Sequence, residues 1–221
     1  MAITNFTELK AAILDYSTRT DLTTQDDDFV LLTEARLNYG SDDPVFPTPP
    51  LRVRQMQQRS TATVSAEFLE LPGDFLEAID FQLNTTPKCD LEYVTPEIFD
   101  TRYDTSITGR PSHFTIVGNE FRFYPSPSGS NTAELLYYKK IPDLATNSTN
   151  WLLAAYPNIY LYGGLLELSI YVQADADVQK YGRLFSGSLK GMSRSGRDSK
   201  YMVPLRARND VRPPSSRKVR V

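Results

Sequence analysis

The spacing of apolar residues changes twice along this chain, and that change restricts its fold more than any other feature. Phe6, Leu9, Ile13 and Tyr16 recur every three to four residues, the spacing of one helix face. From about Ser60 the period drops to two, as in Thr61-Ala62-Thr63-Val64 and Glu67-Phe68-Leu69-Glu70-Leu71. From Trp151 to Val172 the helical pattern returns, and Val178, Tyr181, Phe185 and Leu189 continue it. Helical ends around a stranded middle predict an α+β fold, a helical bundle with an inserted antiparallel β-sandwich. The expected division is 1–58 for the first bundle helices and 59–145 for the sandwich. Residues 146–195 then hold the last helices, and 196–221 an extended C-terminal arm.

Local signals sharpen these elements. Asn5 with Glu8 three residues later forms a capping box, predicting a helix to about Ser17. Thr24 caps a second helix that runs to about Asn38, with Asp26, Asp27 and Asp28 in a first turn where acids complement the dipole. Gly40, Pro44, Pro47, Pro49 and Pro50 mark a loop, and Leu51 to Gln57 reads as a short helix. Phe75 to Leu83, Leu91 to Val94 and Thr132 to Lys140 read as strands, and Thr95-Pro96 opens a helical insert. The alternating runs on either side of Gly118-Asn119 predict a hairpin with a tight turn. Pro157 suits the first position of a long helix. Gly191 and Gly196 are expected to end the last one.

Charge divides the chain unevenly. From Lys190 onward ten Lys/Arg face two acids, whereas residues 1–189 carry 14 Lys/Arg against 25 Asp/Glu. An acidic body with a basic tail implies a second macromolecule that reads the tail. Two occupants fit: phosphates neutralised by Arg and Lys, or an acidic groove of a protein that also takes Tyr201, Met202, Val203 and Leu205 as anchors. A solvated tail with no partner is the plain alternative.

Catalytic and metal chemistry find little material. One Cys (Cys89) and one His (His113) cannot make a site of the His/Cys type, and no cofactor is expected. Cys89 reads as a half-buried small side chain, and the single cysteine suits a reducing compartment. Asp26 to Asp28 and Asp42-Asp43 lack the glycine and bidentate glutamate of a calcium loop. No phosphate loop or dinucleotide fingerprint is present, and Gly163-Gly164 reads as a place where helices approach closely. The first residues lack a secretory pattern. Trp151 to Ala174 is long enough to span a bilayer, but Pro157, Asn158, four tyrosines and Gln173 favour a helix buried by protein. The expectation is a chain that is not an enzyme and does not enter a membrane.

Several separated motifs resemble one known family. Asn150-Trp151-Leu152-Leu153 followed by Tyr156-Pro157-Asn158-Ile159-Tyr160-Leu161-Tyr162-Gly163-Gly164-Leu165-Leu166-Glu167 is similar to the signature of head-to-tail adaptor (connector) proteins of tailed bacteriophages. Leu32 to Asn38, Leu51 to Met56, Glu70 to Leu76, Gly109-Arg110-Pro111 and Tyr137-Tyr138 follow the same order. The Pro-rich loop at 40–50 is longer than the pattern, and the tail beyond Gly196 lies outside it. The resemblance implies a structural virion protein without catalytic residues. It implies a ring of about twelve copies under the portal protein, extending the DNA channel and offering a platform to tail or neck proteins. The location implied is the virion neck, with assembly in the host cytoplasm. DNA would pass without sequence-specific binding, because an acidic wall repels phosphate.

Under that resemblance Tyr201, Leu205, Arg206, Arg208, Arg212, Arg217, Lys218 and Arg220 form a portal-docking arm. Trp151, Leu152, Tyr156, Tyr160, Gly163 and Gly164 form the helix that packs copies into a ring. A nucleic-acid-binding protein using the basic arm is the main alternative, and a tail-associated glycan binder or hydrolase a weaker one, since no acid pair can be placed across a groove.

Overall fold

A computed structural model describes residues 3–43, 45–103 and 106–201, with side chains to residue 193. It is α+β, as the change of period predicts. The first helix, α1 (Phe6–Ser17), starts where Asn5 Oδ1 accepts from Glu8 N at 2.9 Å. The Glu8 carboxylate reaches one residue beyond the capping box, to Thr4 N and Thr4 Oγ1. The second, α2 (Asp26–Tyr39), begins after Gln25 with no side-chain cap, so Thr24 does not serve. Lys10 Nζ instead ties α1 to its acidic first turn, 2.5 Å from Asp27 and 3.7 Å from Asp26.

The expected helix at 51–57 shrinks to one 3₁₀ turn, Arg54–Met56. Pairing overrides local preference there: β1 (Gln57–Val64) matches Gln57 through Val64 against Tyr138 through Asn131. The chain continues through β2 (Phe68–Glu70), β3 (Phe75–Leu83), β4 (Cys89–Asp90), β5 (Glu92–Tyr93), α3 (Pro96–Arg102) and β6 (Thr108–Gly109). Then come β7 (His113–Val117), β8 (Glu120–Tyr124), β9 (Ser126–Pro127) and β10 (Asn131–Lys139). One sheet has the order β1-β10-β3-β4, the other β2-β8-β7-β5, and β6 with β9 makes a small pair.

The sandwich is not wholly antiparallel. β5 runs parallel to β7, and β6 parallel to β9. The cause of the first is the crossover through α3, which returns the chain in the direction it left. Between the sheets Phe81 meets Phe114, Phe121 and Phe123 with ring centroids 5.2, 5.0 and 5.7 Å away, and all four rings are buried.

Three helices complete the bundle: α4 (Trp151–Ala155), α5 (Pro157–Tyr171) and α6 (Asp175–Tyr201). Asn150 Oδ1 caps α4 through Leu153 N at 2.8 Å, and Pro157 opens α5. The end expected at Gly191 and Gly196 is a miss, since α6 runs through both to Tyr201. Burial of Tyr181, Phe185 and Met192 holds its inner face, which outweighs roughly 1 kcal/mol of lost propensity at Gly191. The sandwich and the bundle share β3 and β10: Phe75 and Tyr137 face the sandwich core, while Leu76 and Tyr138 pack on the helical one.

Candidate interaction surfaces

The apolar α5 is the centre of the bundle. Ile159, Tyr160 and Leu165 have no exposed surface, and α1, α2 and α6 cover the helix. A Cβ on Gly163 would stand 2.4 Å from Thr33 Cγ2, and one on Gly164 2.4 Å from Ile13 Cδ1. Both glycines thus admit helices of the same chain. Leu152, Tyr160, Gly163 and Gly164 are therefore covered within the protomer. Trp151 and Tyr156 are only half-buried and pack against the same core.

Polar groups tie this core together. Glu34 Oε1 accepts from Leu144 N at 3.0 Å and from Tyr160 Oη at 3.2 Å. Asn150 Nδ2 donates to Tyr160 Oη (2.7 Å) and to the Pro142 carbonyl (2.8 Å), and Asn38 Oδ1 accepts from Ile141 N at 3.0 Å. Burial pushes the Glu34 carboxyl up to about 7, against the lowering effect of its two donors. Burial also raises the Tyr160 hydroxyl, helped by the charge of Glu34. Arg36 Nε meets Glu167 Oε1 at 2.7 Å, with both side chains 9% exposed. These groups bind the chain to itself, although Arg36 Nη1 is buried without a hydrogen-bond partner.

The outward face of α2 is different. Leu31, Leu32 and Tyr39 are 59%, 48% and 61% exposed, and with Asp28 they fall on one side of the helix. The pattern was available in the run Phe29-Val30-Leu31-Leu32, because a helix cannot turn four consecutive apolar side chains toward one core. On α6 the exposed residues include Lys180, Arg183, Leu184 and Lys190. The Pro-rich loop docks between these regions: Phe46 fills the place that a Cβ on Gly182 would occupy. A cleft of about 680 Å³ lies between that loop and Leu189 and Lys190 of α6.

The chemistry-bearing residues stay dispersed. Ser112 Oγ is 2.8 Å from His113 Nδ1, but Glu92 is 3.8 Å from Nε2, beyond a hydrogen bond. Cys89 is half-buried, its Sγ 3.6 Å from the Asp90 carbonyl. Among the described residues no group of His, Cys, Asp and Glu is arranged to hold a metal ion, and no helix is long and apolar enough to cross a membrane. Of the expected arm, Tyr201 is the last residue of α6, with its side chain outside the description. Leu205, Arg206, Arg208, Arg212, Arg217, Lys218 and Arg220 lie outside the described residues.

The bundle encloses its own polar network, carries a sandwich and leaves apolar helix surface outside. The chain matches the family model described as SU10 adaptor protein over residues 4–208, and it belongs to that family of phage adaptors. The family is structural, and membership implies a place in the virion and contact with other phage structural proteins. No curated protein matches the chain. The match corrects one expectation: it runs past Gly196, so Leu205, Arg206 and Arg208 fall within the family's pattern.

Proposed function

We propose that the chain joins the portal to the tail as a ring of about twelve copies that extends the DNA channel. Family membership over residues 4–208 carries this reading, and the apolar face of α2 supports it. In such a ring Leu31, Leu32 and Tyr39 of one copy pack on α6 of the next, with Asp28 opposite Lys180 and Arg183. A heterologous contact of two unlike faces closes into a ring when the rotation per copy allows. The acidic body, 14 basic against 25 acidic residues over 1–189, keeps the moving duplex from adhering. The basic segment at 202–221 docks on the portal, and tail or neck proteins bind below.

Electron microscopy of the chain mixed with portal-bearing capsids tests the reading. Rings are expected with the native chain, none with Leu31→Glu/Leu32→Glu, and unattached chains after deletion of 202–221. Normal rings from the double variant would remove the α2 interface, and normal attachment of the truncated chain would remove the docking arm.

A further inference from the structure

The two sheets of the sandwich are left open along a common edge. In the first, β4 pairs only with Gln82 and Leu83 of β3, and Leu91 N donates to the Phe81 carbonyl at 2.8 Å. Phe75 to Asp80 therefore has β10 on one side and, among the described residues, no strand on the other. In the second sheet β5 stops at Tyr93, and Val94 N, bound to the Phe114 carbonyl, is the last link to β7. Between the open edges lies a cleft of about 520 Å³, lined by residues 75–81 with Leu91, Tyr93, Phe114 and Ile116.

This cleft joins an apolar floor to an acidic rim. Ile79 is 40% and Tyr93 52% exposed, although the Tyr93 ring lies 5.6 Å from that of Phe114 in the sandwich core. Glu77 and Asp80 line the cleft, and Asp90 and Glu92 sit where the chain crosses from one sheet to the other. Arg52 holds Glu77 at 2.9 Å and His113 stands 3.8 Å from Glu92, while Asp80 and Asp90 have no ion pair among the described residues. Natural edges are usually covered or blunted, because unpaired backbone groups recruit other strands.

We infer that this cleft binds an extended segment of a partner protein by strand addition to β3. The segment carries apolar side chains toward Ile79, Tyr93 and Ile116, and Lys or Arg toward Glu77 and Asp80. Backbone hydrogen bonds supply affinity in such additions, and alternate side chains supply selectivity. The rim sets the sign of the partner's charge. A second copy added edge to edge would place these acids against one another, which like-charge pairing disfavours. The length is bounded too. Six residues of free edge span roughly 20 Å, and the bulges that leave Leu76 and Ile79 without a partner on β10 bend the edge within that span. The surface belongs to each protomer and does not depend on the proposed ring.

The test titrates the full-length chain with a labelled peptide of about twelve residues alternating valine and lysine, long enough to overrun the edge. Controls are a valine–glutamate peptide and the lysine peptide with alternate backbone amides methylated. Fluorescence anisotropy reads binding, and hydrogen exchange reads residues 75–81. The lysine peptide is expected to bind and to slow exchange in that segment, and both controls to fail. Asp80→Lys is expected to weaken the lysine peptide about fivefold, and Tyr93→Ala to weaken it by a similar factor. No binding of the lysine peptide overturns the inference. So does equal binding of either control, or binding without protection at 75–81. Protection that grows with concentration of the chain alone assigns the edge to a second copy, and equally overturns it.

Discussion

The two cores of this molecule are built on different principles. The sandwich core is a cluster of rings and aliphatic side chains, Phe81, Phe114, Phe121 and Phe123 at its centre, with its ion pairs outside. The helical core encloses charge: Glu34, Tyr160, Asn150 and Asn38 join α2 and α5 to residues 141–150, and Arg36 is buried with Glu167. Apolar packing is indifferent to what fills a volume, provided the volume is right. A polar network has to be satisfied in one arrangement only, so it fixes how the helices sit. The helical half is thus specified by hydrogen bonds, at the cost of depending on protonation.

The largest expected effect comes from breaking the apolar core. Phe121 is 1% exposed and touches Phe75, Phe81, Phe114 and Phe123. Phe121→Ala should cost about 3–5 kcal/mol, through lost transfer energy and the cavity left behind. Denaturant unfolding followed by hydrogen exchange in β7 and β8 measures it. The loss should be the same at pH 5 and pH 8, because Tyr137, the buried titratable member of that cluster, has its hydroxyl pushed up to about 12 by burial and by Asp74 and stays protonated throughout. A pH-dependent loss would show that the two cores do not differ as described.

The helical core should respond in the opposite way. Burial raises the Glu34 carboxyl from 4.5 to about 7. Between those values the folded protein keeps a proton that the unfolded chain has released, so stability falls as pH rises through that window and levels off above it. The loss amounts to about 3 kcal/mol at most. Glu34→Gln should flatten the profile, as its carbonyl can still accept from Leu144 N and Tyr160 Oη. The fluorescence of Trp151, packed on this core, follows the transition. An unchanged slope in the variant would assign the pH dependence to other groups.

The same contrast explains what could be read in the sequence. The Gly118-Asn119 hairpin and the Phe75–Leu83 strand depend on neighbours in the chain, and both stand where the pattern puts them. The helices at 6–17 and 157–171 were legible for the same reason. What failed depends on distant partners. Gln57 is strand because β10 pairs with it, and α6 passes Gly191 because Tyr181, Phe185 and Met192 are buried on its inner face. Gly163 and Gly164 were legible as close-approach residues, but not whose helix approaches. Thr33 and Ile13 of the same chain answer that, and the exposed apolar side chains of the bundle include Leu31, Leu32 and Tyr39. The arm rests on charge and on the family resemblance, and residues 202–221 lie outside the described part.

Glycine gives the smallest and cleanest form of the comparison. At Gly163 an added Cβ would meet Thr33, whose hydroxyl donates to the Phe29 carbonyl, so the obstacle is a neighbour with no room to yield. At Gly118 nothing lies within 4 Å of the added atom, but φ is +62°. There the obstacle is the backbone itself, since an L side chain in the left-handed region costs about 1 kcal/mol with no packing change at all. Gly118→Ala should therefore lower sandwich stability by about that amount and leave the pH profile of the helical core untouched. Gly118→Asn, which tolerates this region, should recover most of the loss. Equal losses in both variants, measured by denaturant unfolding, would mean that the turn needs the missing side chain for some other contact, and the conformational account would fail.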